Sequence, residues 1–320
     1  MTLLSRRDFA ALLAGAGALA ALPSAALADD TPKELRIGFQ KVGLLVVARE
    51  QKLVEARLEP LGVKVSWVEF ATGPALLEAL NAGSLDFGYT GDGPPIFAQA
   101  AGIPFVYVAA IPPSPQAEAI IVKEASPIRS VADLKGKRIG LAKGTSSHNL
   151  TAAALEKAGI AFGDITPVYL GPADAAAAFD TDQFDAWTIW DPFLALAQQR
   201  TGVRVVAWTG EVLRAAPFLL AHRDYADAHP KTIRLVLDAL AEAASWANGH
   251  RDELAKAMAA VTGVDLAAQT VAAQRGAFGV LPLDDTIVAN QQSSADRFHR
   301  LGLIPEAITV RDNVWTASQG

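Results

Sequence analysis

The chain has 320 residues, 51% of them hydrophobic, and a formal net charge of −6 at pH 7. That length and apolar content can fill the cores of two domains or lobes, while the negative balance argues against non-specific nucleic-acid binding, which needs a basic surface. Cysteine is absent, which excludes disulfides, thiol catalysis, cysteine-ligated metals and a lipid-modified cysteine at the mature N-terminus.

The first residues read as a targeting segment that stands apart from the fold. Ser5-Arg6-Arg7-Asp8-Phe9 is a twin-arginine pattern, residues 10–22 are a short alanine-rich apolar stretch, and Ala26-Leu27-Ala28 is a small-x-small cleavage site. An apolar run of about 13 residues is well short of the roughly 20 that span a bilayer. Residues 1–28 are therefore expected to be an export signal of twin-arginine type, cleaved near Ala28. Sec export is the alternative, because alanine follows Phe9 where leucine is usual. Either route delivers a free, soluble periplasmic protein.

From Leu35 onward strand-like and helix-like segments alternate. Residues 34–39 and 63–70 read as strands, with a helix from Leu44 between them. Residues 69–102 then give strand end, helix, strand and a second helix. A small-residue turn stands at each strand-to-helix junction: Ala71-Thr72-Gly73-Pro74 and Thr90-Gly91-Asp92-Gly93-Pro94-Pro95. Proline falls where each helix begins, since its fixed φ and missing N–H are harmless in the first turn. Small residues leave the helix-start N–H groups uncovered, and those donors with the helix dipole attract anions. These junctions are expected to form one wall of a cleft for a small anion.

Residues 105–110 and 118–122 are further strands, separated by Pro112-Pro113-Ser114-Pro115. A second α/β unit follows, with strands at 138–142, 167–170 and 184–190 and a polar junction at Gly144-Thr145-Ser146-Ser147-His148. Residues 218–221 read as the last clear strand, and helices are expected near 232–248, 251–261 and 266–275. Alternation of this kind predicts an α/β fold with a largely parallel sheet. The expected lobes are 33–117 with 223–320, and 118–222. The chain would cross between them near 118–122 and 218–222, giving a two-strand hinge and a helical C-terminal part. Ligands in such sheets bind beyond the strands' carboxyl ends, where the junctions lie.

Several segments together carry a resemblance. They are Arg36-Ile37-Gly38-Phe39-Gln40-Lys41, residues 73–83 (GPALLEALNAG), Thr90-Gly91-Asp92-Gly93-Pro94-Pro95, residues 131–137 (VADLKGK), Trp190-Asp191-Pro192-Phe193 and residues 301–305 (LGLIP). The chain resembles the periplasmic aliphatic sulfonate-binding proteins of ABC importers, in the group that includes taurine- and nitrate-binding proteins. The resemblance implies a type II periplasmic-binding-protein fold that closes on its ligand and docks on an inner-membrane permease. It also implies a monomer without cofactor. Taurine, nitrate or a pyrimidine precursor are the alternative ligands, and an exported enzyme on this scaffold is the alternative class. Residues 145–148 depart from the Ser-Asn-Val-His expected of the family.

A sulfonate has three equivalent oxygens and one negative charge, so it needs convergent donors and no proton acceptor; hydroxyls and helix-start N–H groups suit it. The expected ligand contacts are Gln40, Gly73, Thr90, Gly91, Thr145, Ser146, Ser147, His148 and Trp190. For Gln40 the other reading is a solvated loop side chain. For residues 145–147 it is an ordinary N-cap, and for His148 a neutral ring on the first helical turn. Trp190 is read as an aromatic wall for the ligand's tail. Asp92 and Asp191 are read as helix caps, and Glu118 as orienting the hinge strand rather than meeting a ligand amine. His148, His222, His229, His250 and His299 show no metal-site spacing, and no Walker loop, GxSxG elbow or GxGxxG is present.

Overall fold

Why the strands divide as they do follows from two crossovers of the chain. The computed structural model describes residues 31–200 and 202–316, so the expected export signal lies outside the described residues. Within them the strands are β1 (Glu34–Phe39), β2 (Lys64–Glu69), β3 (Phe87–Thr90), β4 (Phe105–Ala110), β5 (Glu118–Lys123), β6 (Arg138–Leu141), β7 (Thr166–Tyr169), β8 (Ala186–Trp190), β9 (Val203–Trp208) and β10 (Phe218–His222). They form two five-stranded sheets in the orders β2-β1-β3-β10-β4 and β7-β6-β8-β5-β9. Both have the same plan. Three parallel strands (β2-β1-β3, and β7-β6-β8) are followed by one antiparallel strand, β10 or β5, and then an edge strand. The edge pairing carries a register shift in each, between Leu219 and Leu220 and between Ile120 and Ile121.

Phe218–His222 was expected with the second lobe. Its partners are β3 and β4 of the first sheet, so the chain has already crossed back before this strand begins. The crossovers are thus residues 111–117 and 209–217, side by side. Ile111 N donates to Pro217 O at 2.8 Å and Gly210 N to Pro115 O at 3.0 Å. The segment 111–117 carries three prolines, which leave it few N–H groups to pair, and it turns at its end, where Ala117 N donates to Ser114 O at 3.1 Å.

The elements that escaped the periodicity include a strand and a long helix. Val203–Trp208 is half-buried along nearly its whole length, so it shows no alternation. The helix Asp285–Arg300 buries Val288, Ala295 and Phe298 at helical spacing, but Gln291, Ser294 and Arg297 share that face and hide the apolar stripe. By contrast Gly73–Asn81 buries Leu76, Leu77 and Leu80 completely, each worth about 1.5–3 kcal/mol. Among the described residues no helix is long and apolar enough to cross a membrane.

The C-terminal helices are not an appendage. Pro230–Gly249 packs on Leu44–Glu50 and Leu53–Leu58, Leu266–Arg275 packs on Phe193–Arg200 of the second unit, and Asp285–Arg300 packs on Gly93–Ala100 and on Ser146–Lys157. They bind the two sheets' helices together on two sides.

Candidate functional site

The strand ends of both sheets open onto a cavity of about 190 Å³. Its floor is made by junctions that follow β1, β2, β3 and β6. Gln40, Gly73, Gly91 and Asp92 line it from the first sheet, and Thr145 and Ser146 from the second. The two facing junctions touch through glycine. A Cβ on Gly93 would come 2.4 Å from Thr145 O, and one on Gly91 would come 3.2 Å from the Ser146 Cβ. Thr145 precedes the helix Ser146–Lys157 and its carbonyl accepts from His148 N and Asn149 N, while the N–H groups of Ser146 and Ser147 have no acceptor within the helix and add positive potential at this point.

The expected contacts separate into two groups. Gln40, Gly73, Gly91, Thr145, Ser146 and Trp190 line the cavity; Thr90, Ser147 and His148 do not. The buried Thr90 hydroxyl donates to Gly91 O at 2.9 Å, fixing the turn instead of pointing outward. Ser147 Oγ accepts from Ala142 N at 3.1 Å and lies 2.9 Å from Thr145 Oγ1, which donates to Ala142 O at 2.7 Å. These hydroxyls hold the strand-to-helix turn closed. His148 Nδ1 accepts from Gly144 N at 3.2 Å, where Gly144 sits at φ 72°. Its ring lies among Phe97, Phe162, Tyr169 and Phe298. Burial pushes its pKa down to about 4, so the imidazole is neutral, with Nε2 buried and unpaired. His148 is a packing residue between the lobes. Gln40 Nε2 donates to Tyr89 O at 3.2 Å, tying β1 to β3 at the cavity's edge; it is buried, against the solvated-loop reading.

Of the two expected caps, Asp191 fits and Asp92 does not. Asp191 Oδ1 accepts from Ala195 N at 3.0 Å, in the first turn of Phe193–Arg200, and from Arg275 Nη1 at 3.4 Å. Pro192 follows through a cis peptide and precedes that helix rather than starting it. Asp92 makes no capping hydrogen bond to Gly93–Ala100, because its backbone is already helical there. Its carboxylate instead accepts from Asn149 Nδ2 across the lobes. Asn149 also donates to Ser294 Oγ at 2.9 Å and accepts from Arg297 Nη1 at 3.1 Å. Arg297 and Arg300 close the chain on Glu156 at 2.7 and 2.6 Å.

Three wall features were not among the expected contacts. Glu118 begins β5 and lines the cavity, and Ser146 Oγ donates to its Oε1 at 2.9 Å. Tyr89 supplies a second aromatic ring beside Trp190. The C-terminal part contributes Leu254, Met258, Ala273 and Phe278, which form the apolar wall. Nothing in the helical pattern of residues 251–278 distinguishes the side facing a cavity from one facing a core.

Burial dominates the electrostatics. It pushes the Glu118 carboxyl up to about 8, helped by the nearby Asp92 and opposed by the Ser146 hydrogen bond. It raises Asp92 too, against the Asn149 hydrogen bond and Arg297, and brings Asp191 to about 6 against Arg275. No lysine, arginine or histidine is among the lining residues. Among the described residues no group of three His, Asp or Glu is placed to hold a metal ion.

Known proteins share this fold. Residues 59–254 match the family described as NMT1/THI5 like. The crystal structure of the periplasmic aliphatic sulphonate binding protein SsuA from Escherichia coli superimposes with a TM-score of 0.84 at 42% identity, over 90% of this chain and 94% of that one. The alkanesulfonate-binding protein SsuA from Xanthomonas axonopodis pv. citri, solved bound to MOPS, gives 0.85 at 43% identity over 89% and 99%. Along the sequence, an aliphatic sulfonates-binding protein of Escherichia coli (strain K12) is 43% identical over 311 residues, 96% of each chain. The two-sheet α/β plan and the helical tail are thus those of one lineage, and the chain belongs to the NMT1/THI5-like family, among its aliphatic sulfonate-binding proteins.

Proposed function

We propose that this protein is the extracytoplasmic substrate-binding component of an ABC importer and that it captures aliphatic sulfonates for sulfur uptake. One observation carries this reading: Ser146, at the start of the Ser146–Lys157 helix, packs against Gly91 of the opposite junction at the edge of a small cavity with an apolar far wall. The sulfonate sits in the cavity beside the touching junctions, taking donors from Ser146 and from backbone N–H groups near Gly73 and Gly91. The alkyl portion lies toward Trp190 and the wall made by Met258 and Phe278. Binding draws the lobes together about residues 111–117 and 209–217, and a permease recognises the closed form.

The protein works as a monomer in the periplasm after loss of residues 1–28 and breaks no bond in its ligand. Thr90, Ser147 and His148 act beneath the site as its frame.

A thermal-shift panel of alkanesulfonates, sulfate, nitrate and a carboxylate analogue tests the ligand class. A true ligand at about a hundredfold over its Kd stabilises the protein by roughly 2.7 kcal/mol. If nitrate or the carboxylate raises the midpoint and no sulfonate does, the assignment fails.

A further inference from the structure

A serine hydroxyl has a single hydrogen to donate and lone pairs with which to accept. At Ser146 that hydrogen goes to Glu118 Oε1, 2.9 Å away, yet a sulfonate beside Ser146 brings three oxygens that only accept. While Glu118 is ionised the hydroxyl cannot serve both. Reversing the pair resolves the conflict: a protonated Glu118 donates to Ser146 Oγ over the same distance, and the Ser146 hydrogen turns to the ligand. Glu118 Oε2 makes no hydrogen bond among the described residues and stays open to the cavity, so the carboxyl can exchange a proton with solvent there.

The charges around Glu118 favour the same exchange. Asp92 and the neutral Tyr89 face it from the first sheet, and Asp191, held by Arg275, follows its β8 partner Trp190. The other charged groups on the elements packed against it are engaged elsewhere: Lys123 with Asp182, Arg204 with Glu124, Lys157 with the Glu211 carbonyl, and Glu156 with Arg297 and Arg300. His148 is neutral. No basic side chain lines the cavity, and burial with the Asp92 charge pushes Glu118 up to about 8. Resting on the sulfonate reading above, we propose that ligand capture is proton-linked: the sulfonate is held only with a proton on Glu118, taken from solvent wherever the free carboxyl is ionised. Net charge in the site is then unchanged, since one anion enters as one carboxylate is neutralised. Affinity is full below the free carboxyl's pKa and weakens about tenfold per pH unit above it, until the carboxyl of the complex ionises too.

Isothermal titration of the purified protein with propane-1-sulfonate, whose own charge is fixed, tests this. At about pH 9, two buffers of different ionisation heat count the protons taken up, and at least about half a proton per ligand is expected, with Kd about tenfold weaker than at pH 7. In Glu118→Gln, whose amide is a permanent donor to Ser146, the uptake disappears and Kd stays level across that range. The wild-type count decides the matter even if the variant folds poorly. A smaller wild-type uptake, or an uptake that persists in the folded variant, overturns the linkage and leaves the sulfonate reading standing. If neither propane-1-sulfonate nor a longer alkanesulfonate binds at pH 7, both readings fall.

Discussion

The two junctions that face each other across the cavity use one backbone device with opposite side-chain strategies. At residues 90–95 the chain removes side chains, and Gly91 and Gly93 let the backbone come against the other lobe. At residues 144–148 it carries four polar side chains in a row, yet spends most of them on itself: Thr145, Ser147 and His148 bond to Ala142 or Gly144. Only Ser146 points its hydroxyl to the cavity side, and there it meets Glu118. The carboxylates beside the junctions differ in the same way. Asp92 is answered by a lobe-bridging amide and the arginines behind it, and Glu118 by a hydroxyl. A row of hydroxyls is therefore a poor measure of how many donors reach a ligand, since the tight turn that presents them consumes most of them.

The difference between the carboxylates predicts the largest effect. Glu118 is pushed up to about 8 in the folded protein, whereas in an unfolded chain a glutamate titrates near its ordinary value. The folded state therefore holds the proton more tightly. Stability falls as pH rises from the ordinary glutamate range to about 8, and levels off above it, where both states are ionised. Each pKa unit corresponds to about 1.4 kcal/mol, so the change across that window is on the order of several kcal/mol. Denaturant midpoints of the ligand-free protein from pH 5 to 8.5 should decline, and Glu118→Gln should flatten the curve. Parallel curves for the two proteins would show that Glu118 is not the group responsible.

The bare junction is broken most directly at Gly93. An alanine there puts its Cβ 2.4 Å from a backbone oxygen of the other lobe, which no rotamer change relieves. Overpacking of this kind costs about 1–3 kcal/mol. Because it acts by holding the lobes apart, ligand affinity should drop by about a hundredfold at the upper end of that range. Titration of Gly93→Ala with the best sulfonate checks this; an unchanged Kd would mean that the lobes need not touch here to hold ligand.

Legibility in the sequence followed the same physical divide. The alternation of Ile37, Phe39, Leu76, Leu80 and Phe87 with glycine turns exposed the α/β order, because those residues serve one core face each. Strand pairing was not legible: nothing in Phe218-Leu219-Leu220 says which sheet it joins, since strands buried on both faces look alike in either. The Asp285–Arg300 helix was hidden by its own buried polar residues, which serve the Asn149 and Arg297 network. In the site, the floor was readable because glycine, proline and hydroxyls at strand ends have few other uses. Glu118 and the wall at Leu254, Met258 and Phe278 were not, because their role depends on which distant elements come together.

The smallest effect separates neighbours on one turn. Ser147 accepts from the buried Ala142 N–H, so Ser147→Ala strands a donor and should lower stability by about 1–3 kcal/mol while the sulfonate Kd shifts little. Ser146→Ala removes a donor that solvent in the cavity can replace, because its partner Glu118 lines that cavity. Its melting midpoint should stay near wild type, and its sulfonate affinity should fall about tenfold, or about 1.4 kcal/mol. Both variants are read by denaturant midpoint and by titration. If the effects are exchanged, so that Ser147→Ala loses affinity and Ser146→Ala loses stability, the turn presents the other hydroxyl to the ligand, and the division drawn between frame and contact is reversed.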